Sequence, residues 1–151
     1  KIIGLRFFTV YGPWGRPDMA IWKFTDSILK GEPIEVFNKG NLGRDFTFID
    51  DIIKGIIGAI ELISKQKKSK HFLFNLGNNT PVIVNNMITT LEQVLHKKAK
   101  KKFLPMQPGD VKQTYADIES SKKLLKYKPE TDIKIGLVRF TNWFKEYKNI
   151  K

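Results

Sequence analysis

The amino-acid sequence predicts an α/β protein, the second half of a doubly wound domain. Three observations carry this. Apolar runs suited to buried strands, Ile2 to Phe8 and Phe72 to Leu76, are separated by segments with helical periodicity. Only these two runs are apolar enough for the inside of a parallel sheet, and two strands do not make a stable one, so its first strands are expected to be missing. No Gly-x-Gly-x-x-Gly turn occurs in the chain, and no Tyr-x-x-x-Lys pair precedes the first run.

Each element has its own signal. After the first strand, Tyr11 to Asp18 reads as a loop, with two glycines and two prolines in eight residues. Met19, Trp22, Phe24, Ile28 and Leu29 mark a helix that Gly31 stops. A short strand runs from Ile34 to Phe37, then a turn from Asn38 to Gly43, then a strand over Asp45 to Ile49 with period-two alternation. Asp50 is expected to cap a helix to about Ser64, with Ile52, Ile53, Ile56, Ile57, Ile60 and Ile63 on one wide apolar face. Beyond the strand at Phe72 come a helix from about Asn85 to Lys97 and a short strand from Lys101 to Leu104. A loop follows from Pro105 to Thr114, then a short helix ending at Leu125 and a last helix over Ile133 to Tyr147. No Gly-, Ser- and Pro-rich linker divides the 151 residues.

Composition narrows the class. At 41% hydrophobic and 28% charged the chain is globular in type, and no apolar stretch reaches the roughly 20 residues of a membrane helix. The opening Lys1-Ile-Ile-Gly-Leu-Arg6 does not have the pattern of a signal peptide, and the chain does not start with Met. Absence of cysteine excludes disulfides, thiolate metal sites and thiol nucleophiles, and leads to the expectation of a cytoplasmic protein. His71 and His96 are too few for a histidine metal site. The net charge of +12 raises nucleic acid as a partner, but only four of the 27 basic residues are Arg, and the Lys tracts 65–70 and 97–102 contain no stacking aromatics. They read as solvated helix ends and loops.

Several residues are placed to do chemistry. Ligands of doubly wound proteins bind at the carboxyl ends of strands, which puts Thr9, Tyr11 and the loop to Asp18 in position. Arg16 offers a guanidinium suited to a carboxylate, or is a surface loop residue. Arg44 could grip a phosphate, or form a surface pair with Asp45. Asp50-Asp51 reads as helix capping before it reads as a metal pair. Gln107-Pro-Gly-Asp110 is a turn, or presents a carboxylate to a ribose diol. Phe7, Phe8, Phe46 and Phe48 read as core.

Together the motifs resemble the extended short-chain dehydrogenase/reductase family of nucleotide-sugar epimerases. The match is closest to UDP-glucuronate 4-epimerases of the capsular polysaccharide biosynthesis type. It rests on Leu5-Arg-Phe-Phe-Thr-Val-Tyr-Gly-Pro-Trp-Gly-Arg-Pro-Asp-Met-Ala20, Gly43-Arg-Asp-Phe-Thr-Phe-Ile-Asp-Asp51, Phe74-Asn-Leu-Gly-Asn-Asn-Thr-Pro-Val82, Leu104-Pro-Met-Gln-Pro-Gly-Asp-Val111 and Thr114-Tyr-Ala-Asp117. The resemblance implies the last strands of a Rossmann sheet, near 2–8 and 72–76, plus a small mixed α/β substrate-binding domain filling the rest of 1–151. It implies NAD as cofactor of the complete enzyme, not bound tightly by this chain, and a UDP-sugar as ligand. Phe7 and Pro13 would lie near the nicotinamide, and Thr9 and Arg16 would hold the glucuronate carboxylate. Glu35 and Phe37 would meet the uracil, Arg44 the diphosphate, and Asp110 the ribose or its neighbourhood. Gln107 stands where galactose epimerases have a second diphosphate Arg. Lys126 replaces a Gly usual before Tyr-x-Pro, at a cost of order 1 kcal/mol if that site needs a positive φ. The catalytic Tyr and Lys and the NAD fingerprint of the family belong to a first half not in this chain. The expected function is therefore a nucleotide-sugar-binding portion inactive as a lone chain, partnered by a separate Rossmann half or by itself through the exposed first strand. The alternatives are a non-catalytic or decayed fragment, or a dehydratase or decarboxylase on the same scaffold.

Overall fold

The computed structural model describes residues 1–150. Its order is β1 (Ile2–Phe7), β2 (Thr9–Tyr11), α1 (Ala20–Lys30), β3 (Pro33–Phe37), β4 (Gly43–Arg44), β5 (Phe46–Phe48), α2 (Ile49–Ser64), β6 (His71–Leu76), β7 (Val82–Ile83), α3 (Val84–Leu95), β8 (Lys100–Leu104), α4 (Glu119–Leu125) and α5 (Ile133–Tyr147). The strands form four two-stranded ladders. β1–β6, β2–β5 and β3–β8 are parallel, and β4–β7 is antiparallel. The α/β class is as expected, and β1 reaches its parallel neighbour β6 after α2, which packs against β1.

The buried apolar residues fall into two cores, each drawing on both halves of the chain. Ile21, Phe24 and Ile28 of α1, Met87, Ile88 and Leu91 of α3, and Leu137, Phe140 and Phe144 of α5 close over β2, β3 and β5. Ile52 and Ala59 of α2 meet Phe74 and Leu76 of β6 and Leu125 and Tyr127 in the second core. Asp45, fully buried, ties the two together. One carboxylate oxygen accepts the Asn78 N–H at 2.6 Å and the Thr47 hydroxyl at 2.9 Å; the other accepts the N–H groups of Asn79 at 3.0 Å and Ala116 at 2.8 Å. Its carbonyl accepts the N–H of Thr9. The sequence reading of Arg44-Asp45 as a surface pair is thus corrected.

Three further expectations are revised. β1 is not a buried strand: Ile2 is 64% and Phe7 51% exposed, and only Ile3 and Leu5 turn toward the second core. The N–H groups of Ile2 and Phe8 bond to Lys70 and Leu76, so by alternation those of Ile3, Leu5 and Phe7 face an edge with no strand among the described residues. The apolar face of α2 is only partly covered: Ile52 is buried, whereas Ile53, Ile57 and Ile60 form an open stripe at i, i+4, i+7. Asp50 does not cap α2. The N-cap is Phe48, Asp50 pairs with Arg139 at 3.0 Å, and buried Asp51 accepts the N–H groups of Glu130 and Thr131. Burial would raise the Asp51 pKa, but the hydrogen bonds from Thr131 and Lys54 hold it below the ordinary carboxylate value.

Helix ends follow the usual backbone rules, except that α3 and α4 close on non-glycine residues in the left-handed region, His96 at φ 53 and Lys126 at φ 55. Gly31 closes α1 in the left-handed region, φ 73, as expected from its type. Lys126 closes α4 in the same region, φ 55, where a side chain is disfavoured. Lys126→Gly is therefore expected to raise stability by up to about 1 kcal/mol, read as a higher urea midpoint at unchanged slope. A lower midpoint would mean that Lys126 makes a compensating contact.

Candidate functional site

β1 and β2 run almost end to end, and Tyr11 hands the chain to the loop that leads into α1. Here Trp14 adopts φ 61, an outlier for a bulky residue, and lies against Trp143 and Tyr147 of α5 with ring centroids 5.3 and 5.6 Å away. The loop walls a cavity of about 380 Å³, bounded by Phe7, Phe8, Pro13, Trp14, Arg16 and Ile49 among others. This brings together Phe7, Pro13 and Arg16 of the predicted set. Thr9 does not line the cavity. The Arg16 guanidinium is in the open and meets Asp18 at 3.0 Å through Nε and 2.5 Å through Nη. That hydrogen bond holds Arg16 above its ordinary pKa and Asp18 below its own.

A second cavity, about 630 Å³, opens on the other side of the same stretch, with Pro17, Asp18, Trp22, Glu35, Phe37 and Gln107 in its wall. It unites Glu35, Phe37 and Gln107, which are far apart in sequence, because β3 carries the first two and the loop after β8 the third. β3 and β8 pair with Glu35 opposite Lys102 and Phe37 opposite Leu104. Arg16 lines the first cavity and Pro17 and Asp18 the second, so consecutive residues of one loop wall the two; the first opens at the carboxyl ends of β1 and β2, and the second runs along β3.

Arg44 and Asp110 form the third group. An Arg44 Nη donates to Asp110 Oδ1 at 2.6 Å and the other to the Gly43 carbonyl at 2.8 Å. Asp110 is delivered by a turn in which its N–H bonds to the Gln107 carbonyl at 3.2 Å, with Gly109 at φ 80, the pattern of a type II turn. Gly43 binds the same loop from below, donating to the Lys112 carbonyl and accepting from Thr114. The residue that sequence reasoning missed is Asp45. It fixes the backbone of Thr9 beside one cavity and of the segment that bears Arg44, but its partners Asn78 and Ala116 lie 33 and 71 positions away.

None of the buried tyrosines suits the role of a proton acceptor. Burial, with Asp132 and Asp51 nearby, raises the pKa of the Tyr11 phenol, which is enclosed without a hydrogen-bond partner. Burial likewise raises Tyr127, which donates to the Gly77 carbonyl at 3.0 Å. The Tyr-x-x-x-Lys spacing does occur at Tyr147, but that ring stacks on Trp143 at the far end of α5, 5.0 Å between centroids. Its Lys151 lies outside the described residues.

The parallel β1–α2–β6 unit, with a cavity at the carboxyl ends of β1 and β2, is the architecture of a doubly wound α/β protein. Residues 1–77 match the NAD dependent epimerase/dehydratase family, and the chain belongs to it. It is 56% identical over 99% of its length to an uncharacterized protein of Methanocaldococcus jannaschii, of which it covers 44%. It is 47% identical over 99% of its length to UDP-glucuronate 4-epimerase 3 of Arabidopsis thaliana, of which it covers 37%. The crystal structure of UDP-glucuronic acid 4-epimerase from Bacillus cereus in complex with UDP-glucuronic acid and NAD superposes with a TM-score of 0.86 at 38% identity, covering 95% of this chain and 45% of that one. The chain thus spans less than half the length of these relatives, and its motif resemblance to nucleotide-sugar epimerases is matched by them. No helix among the described residues is long and apolar enough to cross a membrane.

Proposed function

We propose that the chain is the nucleotide-sugar-binding portion of an NAD-dependent UDP-glucuronate 4-epimerase-like protein, and that alone it does not epimerise. The observation that carries this is the adjacency of the two cavities across residues 16–18: one gathers Glu35, Phe37 and Gln107, the other Phe7, Pro13 and Arg16. In this reading Glu35 and Phe37 meet the uracil, Arg44 takes the diphosphate, and Thr9 with Arg16 holds the sugar carboxylate. The Phe7 ring and Pro13 offer an apolar wall that fits the nicotinamide end of NAD, but the chain has no glycine-rich turn to cradle the pyrophosphate. NAD, when bound, supplies the hydride acceptor at the sugar C4. What the chain itself contributes is orientation: Glu35 and Phe37 at the base, Arg44 at the diphosphate and Arg16 at the sugar carboxylate, beside an apolar wall for the nicotinamide.

Residues 1–151, with β1 and β6 as sheet strands, then act as one unit that needs an NAD-binding half, either preceding it in a longer chain or as a separate one. The open edge of β1 and the Ile53, Ile57, Ile60 stripe are where such a half would dock, and without it the edge favours self-association. The test is interconversion of UDP-glucuronate and UDP-galacturonate with excess NAD. The pure chain should show none and should sediment as concentration-dependent oligomers. Adding a chain that carries the NAD-binding half should restore turnover and dissolve them. Turnover by the pure chain would overturn the proposal.

A further inference from the structure

We propose that Trp14 is the positioning residue for Arg16: its ring, docked on α5, holds the loop so that the guanidinium is presented to a uronate carboxylate. The proposal rests on the UDP-uronate reading above and deepens it. The backbone itself gives no reason for a tryptophan here. The Gly15 N–H bonds to the Gly12 carbonyl at 3.1 Å, Pro13 occupies the second position of that turn, and Trp14 takes the third at φ 61. This is the pattern of a type II turn, whose third position favours glycine. A bulky residue persists in such a conformation where the surrounding contacts over-determine it.

Those contacts are aromatic. Trp14 lies against Trp143 and Tyr147, which stack on each other, and Trp22 of α1 meets both with ring centroids 5.5 and 6.0 Å away. Trp22 in turn packs on Phe140 and Phe144, both buried. The platform is thus rooted in the first core, while Trp14 itself is 78% exposed. The hydrogen bonds of the loop are local. Gly15 bonds to Gly12, the Met19 N–H bonds to the Arg16 carbonyl at 3.2 Å, and the Arg16 guanidinium bonds to Asp18. Among the described residues, none of 13–18 hydrogen-bonds to another strand or helix. The Trp14 ring therefore supplies a tie from this loop to α5, two residues from Arg16. Without it Arg16 sits on a looser loop, and a charge-assisted contact of exacting geometry is made less often.

The test is calorimetric titration of the chain with UDP-glucuronate and UDP-glucose, read as the ratio of the two affinities. Trp14→Gly suits the turn and removes the ring, and the exposure of that ring means that the core is left intact. It should lower the preference for UDP-glucuronate roughly three- to tenfold. Trp14→Phe keeps a ring against α5 and should retain most of the preference. Added to Arg16→Ala, Trp14→Gly should leave the ratio where Arg16→Ala has put it, because the ring acts through the guanidinium. A merely structural role would weaken both ligands together and leave the ratio unmoved. A preference kept by Trp14→Gly, a Trp14→Phe variant no better than Trp14→Gly, or a further fall in the ratio in the Arg16→Ala background would overturn the proposal and leave the uronate reading standing. No preference in the unmodified chain, or a preference that survives Arg16→Ala, overturns that reading itself and this proposal with it.

Discussion

Asp45→Ala is expected to destabilise the fold by about 3–5 kcal/mol, the largest effect of any single substitution considered. The carboxylate is buried and takes three backbone N–H groups and one hydroxyl from four points on the chain. Removing it leaves the N–H groups of Asn78, Asn79 and Ala116 without their acceptor, and water replaces it only by opening the junction between the two cores. Each such loss costs roughly 1–3 kcal/mol, and the three are not additive because the loops relax together. A domain of this size is stable by about 5–15 kcal/mol, so the variant should lie near the edge of folding. In urea its midpoint should fall by roughly 2 M at an m-value of about 2 kcal/mol/M. Asp45→Asn, which keeps one acceptor but turns an amide donor toward an N–H, should fall between the two. A loss below about 1 kcal/mol for the alanine variant would show that the junction is held by something other than this carboxylate.

Arg16→Ala is expected to weaken UDP-glucuronate by about one to two decades while changing UDP-glucose little, because only the first offers a carboxylate to the guanidinium. Arg44→Ala should weaken both sugars alike, since the diphosphate is common to them. In the free chain Arg16 is bonded to Asp18, but that pair stands in solvent and is easily exchanged for a ligand carboxylate. The comparison of the two sugars is the informative quantity, for it cancels any effect of the substitution on the loop as a whole. Equal losses for both sugars on removal of Arg16 would reduce it to a loop residue and leave the uronate assignment without its chemical support.

Much of this architecture was legible in the sequence because local periodicity carries it. The spacing of Trp22, Phe24, Ile28 and Leu29 placed α1, Gly31 ended it, and α3 and α5 were placed the same way. What escaped depends on partners distant in sequence. β2 is three residues long and exists because the chain changes neighbour at Phe8, from β6 to β5, so the sequence alone leaves Thr9 and Val10 unassigned and puts Tyr11 in a loop. The isoleucine face of α2 was recognised, but periodicity cannot say which part of a face is covered. Asp45 and Asp51 looked like surface and cap residues because their acceptor roles involve backbone groups 33 to 80 positions away. The motif residues were found in sequence, whereas their division into two cavities and the Arg44–Asp110 pair became visible only in three dimensions.

The proposed UDP-uronate site, assembled from residues far apart in sequence, should be detectable in the chain by itself. It is tested most directly by titrating the unmodified chain with UDP, UDP-glucose and UDP-glucuronate in a calorimeter at fixed ionic strength. Saturable binding of all three is expected, with UDP-glucuronate tighter than UDP-glucose. No binding of any of them at millimolar concentration, or a preference for UDP-glucose, would contradict it.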